Sequence, residues 1–329
     1  MPTESDRVPM RTLIRLYDVP PPEPGGQAWC RQARRTDVSD ALALVTDASA
    51  AEQIRFALAA DAVRAAVTVQ DGKVLGCCLY DAMGKGTVGP LYAEPGAGDV
   101  LRPQLLRSAC RAMLRAGYWY ALAGGPGLAD CPALVPDAAV PVPVVPAPQP
   151  SERDVPGPWA DLYLPLGEEL EQETADHVQI GRRTVHVLRP LASHRIPLVR
   201  WVAEEFGEGW AGEVEAAFER QPVSVLFATD NGRLDRPQAL LGFTAWGVSA
   251  LGMTGPTALR PAARGTRLAM VLTDRCLREL RRDGYPYAIL GGFGKRRGAL
   301  RELPSAWAIP GSYPALFSRD PQEVAGADD

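Results

Sequence analysis

A stretch of about forty residues occurs twice in this chain, and that duplication constrains the fold more than any other feature. Residues 88–127 read VGPLYAEPGAGDVLRPQLLRSACRAMLRAGYWYALAGGPG, and residues 254–294 read TGPTALRPAARGTRLAMVLTDRCLRELRRDGYPYAILGGFG. Gly89, Pro90 and Pro95 return as Gly255, Pro256 and Pro261, at an offset of 166. One residue is then missing from the first copy. Gly117, Tyr118, Tyr120, Ala121, Gly124, Gly125 and Gly127 return as Gly284, Tyr285, Tyr287, Ala288, Gly291, Gly292 and Gly294, at an offset of 167. A period of that length is too long for a solenoid unit and suits a whole domain. The chain is read as a duplicated domain.

With 329 residues, each half is long enough for its own core. The strand and helix signals run in the same order in both halves. The first has an apolar strand at 11–18, helices over Thr36–Asp47 (capped by Asp37 or Ser39) and Ala51–Ala65, and a hairpin turning at Asp71-Gly72. A strand carrying Gly-Pro follows, then an amphipathic helix over 99–116 ended by Gly117, then the buried strand YWYALAG. The second has helices over 195–206, 212–220 and 266–282 in the matching places. This order predicts a mixed α/β layer domain, twice.

The expected boundaries are 1–166 for the first domain, 167–182 for an acidic linker and 183–329 for the second domain. Residues 131–158 are dense in proline and are expected to form an extended insertion without regular helix or sheet. PGPWADLY at 156–163 resembles PGSYPALF at 310–317, so the first domain is expected to close with a strand there.

The net charge is −4 and no Lys/Arg-rich run stands out, which argues against nucleic acid or an anionic membrane as partner. Six cysteines lack any C-x-x-C spacing, and three histidines lie without carboxylate or thiol at a zinc-type spacing. Reduced, mostly buried thiols and no metal site are expected. No run of 18 apolar residues exists, and MPTESDRVPM has no apolar h-region, so a cytoplasmic location is expected.

Proline cannot donate to a ladder, and Gly in a strand often marks a bulge. The Gly-Pro strand is therefore expected to be unpaired on one side, a simple turn being the alternative. In the second half the chain leaves this strand through LRPAARGTRLAMVL (259–272) and enters a helix. Free backbone N–H groups at a positive dipole end, Gly265 and two arginines, Arg264 and Arg267, make a physical anion or pyrophosphate site. An ordinary solvated helix start with surface arginines would read the same way. Neither a P-loop nor a dinucleotide fingerprint is present.

The element order, the Gly-Pro strand, the arginine loop opening a long helix and the strand GYPYAILGGFG together resemble the GNAT (general N-acetyltransferase) acyltransferases. LYDVP at 16–20, GEGWAGEVEAAFERQPVSVLFA at 207–228 and GMTGPT are similar to one bacterial branch of that family. The resemblance covers both halves and implies two tandem domains, each with a partly splayed sheet. In the family the pantetheine arm of acetyl-CoA pairs along the splayed strand and its pyrophosphate sits on a loop written R/Q-x-x-G-x-G/A.

Carried over, this marks Thr254, Thr257 and Leu259 on the strand, and Arg264, Gly265, Thr266, Arg267, Leu268 and Ala269 on the loop, for acetyl-CoA or another acyl-CoA. Arg264 and Ala269 match the pattern, and Arg267 stands where the middle glycine belongs. In the first half the matching residues are Gly98, Asp99, Val100, Leu101 and Arg102, without the leading arginine and with a carboxylate that would repel phosphate. That half is not expected to bind CoA in the usual way.

The family's general-acid tyrosine would fall near Leu300 and near Ala133, and neither is a tyrosine. Glu213 and Glu215, after Trp210, are the candidate bases for an attacking amine, and Trp246 and Tyr80 the candidate cleft-lining aromatics. The resemblance implies an acyl-CoA-dependent N-acyltransferase acting on a small amine, with the two domains paired within one chain and a homodimer left open. The alternative is a non-catalytic acyl-CoA-binding or scaffold protein.

Overall fold

A computed structural model describes residues 10–22, 29–60, 62–96, 98–144, 159–294, 303 and 306–312. The chain divides into two units, Met1–Val144 and Val145–Asp329.

The first unit runs β1 (Met10–Arg15), β2 (Trp29–Gln32), α1 (Val38–Ala43), α2 (Ala48–Ala59), β3 (Arg64–Gln70), β4 (Lys73–Tyr80), β5 (Thr87–Ala93), α3 (Gly98–Arg115), β6 (Tyr120–Ala123), α4 (Cys131–Leu134) and β7 (Ala139–Pro143). Its strands form one sheet in the order β2-β3-β4-β5-β6-β1-β7. Only the β5–β6 pair is parallel.

The second unit runs β8 (Trp159–Pro165), β9 (His177–Ile180), β10 (Arg183–Leu188), α5 (Arg195–Phe206), α6 (Glu208–Phe218), β11 (Val225–Thr229), β12 (Leu240–Trp246), β13 (Met253–Leu259), α7 (Leu268–Arg282), β14 (Tyr287–Gly294) and β15 (Trp307–Ala308). Its sheet order is β15-β8-β14-β13-β12-β11-β10-β9, and again one pair, β13–β14, is parallel. Read from β10 to β15, this is the first sheet strand for strand, with β9 added at the edge.

The match assigns β8 to the place of β1. Leu13 faces Leu122 and Ile14 faces Ala121, while Tyr163 faces Ile289 and Leu164 faces Ala288. The segment at 156–163 therefore does not close the first domain. Its described part opens the second, as an antiparallel strand between β14 and β15. What closes the first sheet is β7, inside the proline-dense stretch expected to hold no regular structure. Pro141 and Pro143 fit there because β7 pairs with β1 alone and is the edge of the sheet, where a missing N–H can face outward.

The expected domain boundary at 166 thus falls instead at 144/145, ahead of β8. Residues 167–182 are not a free linker either. β9 pairs with β10, and three arginines on α7 hold the segment before it. Arg278 Nη1 donates to the Gln172 carbonyl (3.0 Å), Arg281 pairs with Glu171 (2.8 Å), and Arg275 donates to the Ala175 carbonyl.

Packing in the second unit follows strand alternation. Phe243 and Ala245 of β12 face α5 and α6, in a core with Leu198, Trp201, Val202, Val214, Phe218 and Phe227. Thr244, between Phe243 and Ala245, faces the other way, toward the buried Cys276 of α7. Glycine ends the long helix in both halves: Gly117 (φ 98°) and Gly284 (φ 95°) let Tyr118 and Tyr285 bond back to Met113 and Leu280, each at 3.1 Å.

Helix α1 is shorter than the expected Thr36–Asp47, and α2 ends at Ala59, leaving Arg64 and Ala65 to β3. Asp37 does not cap α1. It accepts from both Arg31 Nη atoms and from the Arg34 N–H, which holds its carboxyl below the usual range chiefly through the arginine hydrogen bond. No helix among the described residues is long and apolar enough to cross a membrane.

Candidate functional site

The two halves differ most between the Gly-Pro strand and its parallel neighbour. In the first half β5 and β6 pair at Thr87↔Leu122 and Val88↔Ala123. The chain after β6 then continues along β5. Gly124 N–H donates to the Val88 carbonyl (3.0 Å), and Leu91 N–H donates to the Pro126 carbonyl (2.9 Å). A Cβ on Gly127 would lie 1.9 Å from the Leu91 carbonyl oxygen, and one on Gly89 would lie 2.1 Å from that of Gly124. Gly89, Pro90 and Leu91 are buried, Leu128 closes over Gly89, and Arg102 donates to the Gly127 carbonyl. No groove remains between these strands.

In the second half β13 and β14 pair at Met253↔Ile289 and Thr254↔Leu290, and then part. The residues that follow on β13, Gly255, Thr257 and Leu259, are half-buried where their counterparts Gly89 and Leu91 are sealed. Among the described residues nothing lies within 4 Å of a Cβ placed on Gly255 or Gly292. The expected one-sided strand is present here, with a register break opposite β12 between Thr244 and Trp246.

Alternation fixes where its backbone groups point. Arg260 N–H donates to the Leu241 carbonyl on the β12 side (2.9 Å), so the N–H groups of Leu259 and Thr257 point away from β12, into the gap. The Thr257 hydroxyl is turned to Thr244 (2.7 Å), leaving its backbone as the group that faces the gap. Thr254 belongs to the last paired position.

Past Leu259 the chain makes one 3-10 turn over Pro261–Ala263 and enters α7 through Arg264–Arg267. Gly265 has φ 72° with open space where a Cβ would sit, so a ligand can reach its backbone. Thr266 Oγ1 donates to the Ala263 carbonyl (2.7 Å) and accepts from Leu268 N–H (3.3 Å), fixing the loop against the helix. Leu268 is buried and can offer only backbone. Ala269 is half-buried, at the helix start. Gly265, Thr266, Arg267 and Met270 line an open depression.

Arg264 Nε donates to the Leu259 carbonyl (3.1 Å), which ties the loop to the mouth of the gap. Arg264 and Arg267 are exposed and have no carboxylate partner among the described residues. Arg260, by contrast, is spent on Glu205 (2.5 Å). The result is an anion-attracting helix start at one end of an open backbone edge.

The candidate bases separate. Glu213 is half-buried on α6 and accepts from Ser249 Oγ (2.6 Å) in the β12–β13 turn, which ties it to the start of β13. Glu215 lies on the exposed side of α6 with Arg195 (3.1 Å), which also holds Glu219 (2.5 Å). No hydrogen bond or ion pair among the described residues links Glu215 to β13 or β14.

The two aromatics are core, not cleft. Trp246 is buried, donates from Nε1 to Asp283 (3.2 Å) and lies under Arg189 (5.2 Å), and Tyr80 is buried in β4. Leu300, at the position counted for the tyrosine, lies outside the described residues, and Ala133 sits on α4.

The cysteines are all free. Burial pushes Cys77, Cys131 and Cys276 up to about 12 and Cys78 and Cys110 upward as well, so none of these five is a thiolate near neutrality.

One residue, a strand removed from the gap, is not singled out by the sequence. Asp161 is wholly buried on β8, and its Oδ1 accepts from Gly292 N–H (3.0 Å) on the far side of β14. The signal is a lone carboxylate inside the apolar run WADLYLPL, whose meaning depends on the pairing of that run with β14 and β15 rather than with the first sheet.

No protein-family model and no curated protein sequence matches the chain. Several solved structures are similar to it. One is a GCN5-related N-acetyltransferase from Sphaerobacter thermophilus, at 16% identity and a TM-score of 0.34, covering 86% of this chain and 93% of that one. Another is a tandem GNAT protein from the clavulanic acid biosynthesis pathway, at 16% identity and a TM-score of 0.33, covering 86% and 97%. A third is the GCN5-related glucosamine N-acetyltransferase region of a fungal multi-domain GH3 beta-N-acetylglucosaminidase, at 11% identity and a TM-score of 0.35, covering 87% of this chain and 38% of that protein's length. Likenesses this weak carry no weight for substrate or chemistry, and the fold rests on the chain's own strand order. By that order, with a Gly-Pro strand beside a briefly paired parallel neighbour in each half, this chain is two α/β domains of one topology in tandem, each a mixed sheet flanked by helices.

Proposed function

We propose that the chain is an acyl-CoA-dependent N-acyltransferase whose cofactor site lies in the second half. The observation that carries this reading is the open edge of β13, ending on the Arg264–Arg267 helix start. The five residues of β13 past its pairing with β14, 255–259, at about 3.3 Å each, offer roughly 16 Å of extended backbone for an extended arm. The N–H groups of Thr257 and Leu259 receive that arm. The backbone at Gly265 and the first turn of α7 receive the pyrophosphate, with Arg264 and Arg267 supplying charge. Arg267, in a glycine's place, reaches around the phosphates from the exposed side.

Acetyl-CoA, or another acyl-CoA, supplies the activated acyl group as a thioester. The protein's part is to hold the acceptor amine against it, which removes much of the entropic barrier, and to aim backbone N–H groups at the carbonyl oxygen. Glu213, fixed by Ser249 beside the start of β13, is the better placed of the two carboxylates to take the amine's proton. Glu215, engaged by Arg195, is the weaker candidate. Water protonates the leaving sulfur, since no tyrosine stands at either counted position. The acceptor is a small amine. Six free thiols suit a reducing, cytoplasmic setting. The first half, with its gap sealed, serves as the structural partner, and no second copy is required for the site.

The test is thiol release from acetyl-CoA over a panel of amines: an aminoglycoside, amino acids, polyamines and a peptide N-terminus. Release with one class is expected, lost in Arg264→Glu and slowed roughly 10²–10⁴-fold in Glu213→Gln. Binding without release on any amine would favour an acyl-CoA sensor.

A further inference from the structure

We infer that Asp161 is a positioning residue that keeps the acyl-CoA gap open, by holding β14 away from β13. The inference rests on the cofactor site proposed above for its functional consequence, but not for its geometry.

The two halves supply an internal comparison. In both, the strand after the long helix (β6 or β14) lies between the Gly-Pro strand and the opening strand (β1 or β8). Its glycine-rich end has a choice of neighbour. In the first half β6 leaves β1 after Thr12↔Ala123, and the following backbone bonds to β5 instead. In the second half β14 stays with β8 as far as Gly294↔Trp159.

Staying requires a bulge. Between Leu290↔Leu162 and Phe293↔Ala160, the two residues Gly291 and Gly292 face the single residue Asp161. A bulge leaves a backbone group out of the ladder, and Asp161 Oδ1 takes the Gly292 N–H at 3.0 Å. The carboxylate is fully buried, where an unanswered N–H would be costly. Its own backbone is pinned as well, with N–H to Ser312 Oγ (3.1 Å) and the carbonyl accepting from Ile309 N–H (2.9 Å).

At the matching position of the first half stands Arg11, by the same register that pairs Leu13 with Tyr163. A guanidinium carries donors only and cannot accept a glycine N–H. The bulge has no acceptor there, and the chain falls onto β5, where the Pro126 carbonyl takes the Leu91 N–H. The counterpart of Leu91 is Thr257, whose N–H faces the gap. One acidic side chain on the opening strand thus decides whether the Gly-Pro strand keeps a free edge.

The experiment is amide hydrogen exchange on the full chain, with acetyl-CoA titration as a second readout, in the wild type and in Asp161→Val and Asp161→Asn. In the ligand-free wild type the Gly292 amide is expected to be protected and the Thr257 amide to exchange fast. Asp161→Val is expected to slow Thr257 exchange roughly tenfold, as one new hydrogen bond would, and to weaken acetyl-CoA binding by at least about as much. Asp161→Asn keeps an acceptor oxygen and is expected to restore both.

General destabilisation would speed Thr257 exchange rather than slow it, so the two effects part. If Asp161→Val does not fold, the wild-type pattern and Asp161→Asn still decide: a protected Thr257 amide in the ligand-free wild type overturns the inference. So does unchanged Thr257 exchange in a folded Asp161→Val. A wild type with the expected exchange pattern that binds no acetyl-CoA would remove the proposed activity and leave the role of Asp161 standing.

Discussion

Asp37 shows how a residue's role is set by its partners rather than by its type. Its place before an apolar run suggested a helix cap, a local reading. The structure gives it instead to Arg31 on β2, a strand too short and too mixed to announce itself. Both side chains are mostly shielded, at 16% and 10% exposure, so the pair is worth more than a surface contact. Asp37→Ala removes the two charge-assisted bonds while Arg31 keeps its bond to the Gln32 carbonyl, and is expected to cost about 2 kcal/mol, measured by urea unfolding. The folded carboxyl is held below its unfolded value, so its contribution is complete above about pH 3.9 and fades as pH falls through the folded value. Acid unfolding of Asp37→Ala should therefore lose that part of its pH dependence. At the candidate site the arginine loop was legible because charge and glycine announce an anion site at short range. Asp161 was not, because its meaning depends on which sheet its strand joins.

The element that separates the halves is the end of the parallel pair. Both copies keep Gly-Pro, the long helix and the glycine run, so sequence alone predicts the same splay twice. The difference lies in long-range hydrogen bonds: Leu91 to Pro126 in one half, Gly292 to Asp161 in the other. The sealed version depends on close backbone approach at Gly127 (φ 80°), where a Cβ would meet a carbonyl oxygen at 1.9 Å. Gly127→Ala is expected to cost more than the 1–2 kcal/mol or so of a left-handed alanine, since the backbone must also move. Gly265→Ala, at φ 72° with open space around it, is expected to cost about that amount and no more. Thermal unfolding of the two variants checks the order; equal costs would contradict a sealed first gap.

For the whole molecule, the duplication and the mixed α/β layering were readable from the repeat, because identical residues at a fixed offset need no long-range knowledge. The boundary was not. PGPWADLY and PGSYPALF look alike, and that likeness drew β8 into the first half, whereas pairing with β14 and β15 puts it in the second. A fragment of residues 146–329 is expected to unfold cooperatively on its own. A fragment of residues 167–329 lacks the strand between β14 and β15 and is expected to stay unfolded, by circular dichroism. A folded 167–329 fragment would contradict the strand assignment.

The proposed acyltransferase activity requires one open acyl-CoA site per chain, in the second half. Calorimetric titration of the full chain with acetyl-CoA tests it most directly. The expected result is one equivalent bound, abolished by Arg264→Glu and accompanied by a stabilisation of about 2.7 kcal/mol at 100 times the dissociation constant. Two equivalents, or no binding at millimolar acetyl-CoA, would contradict it.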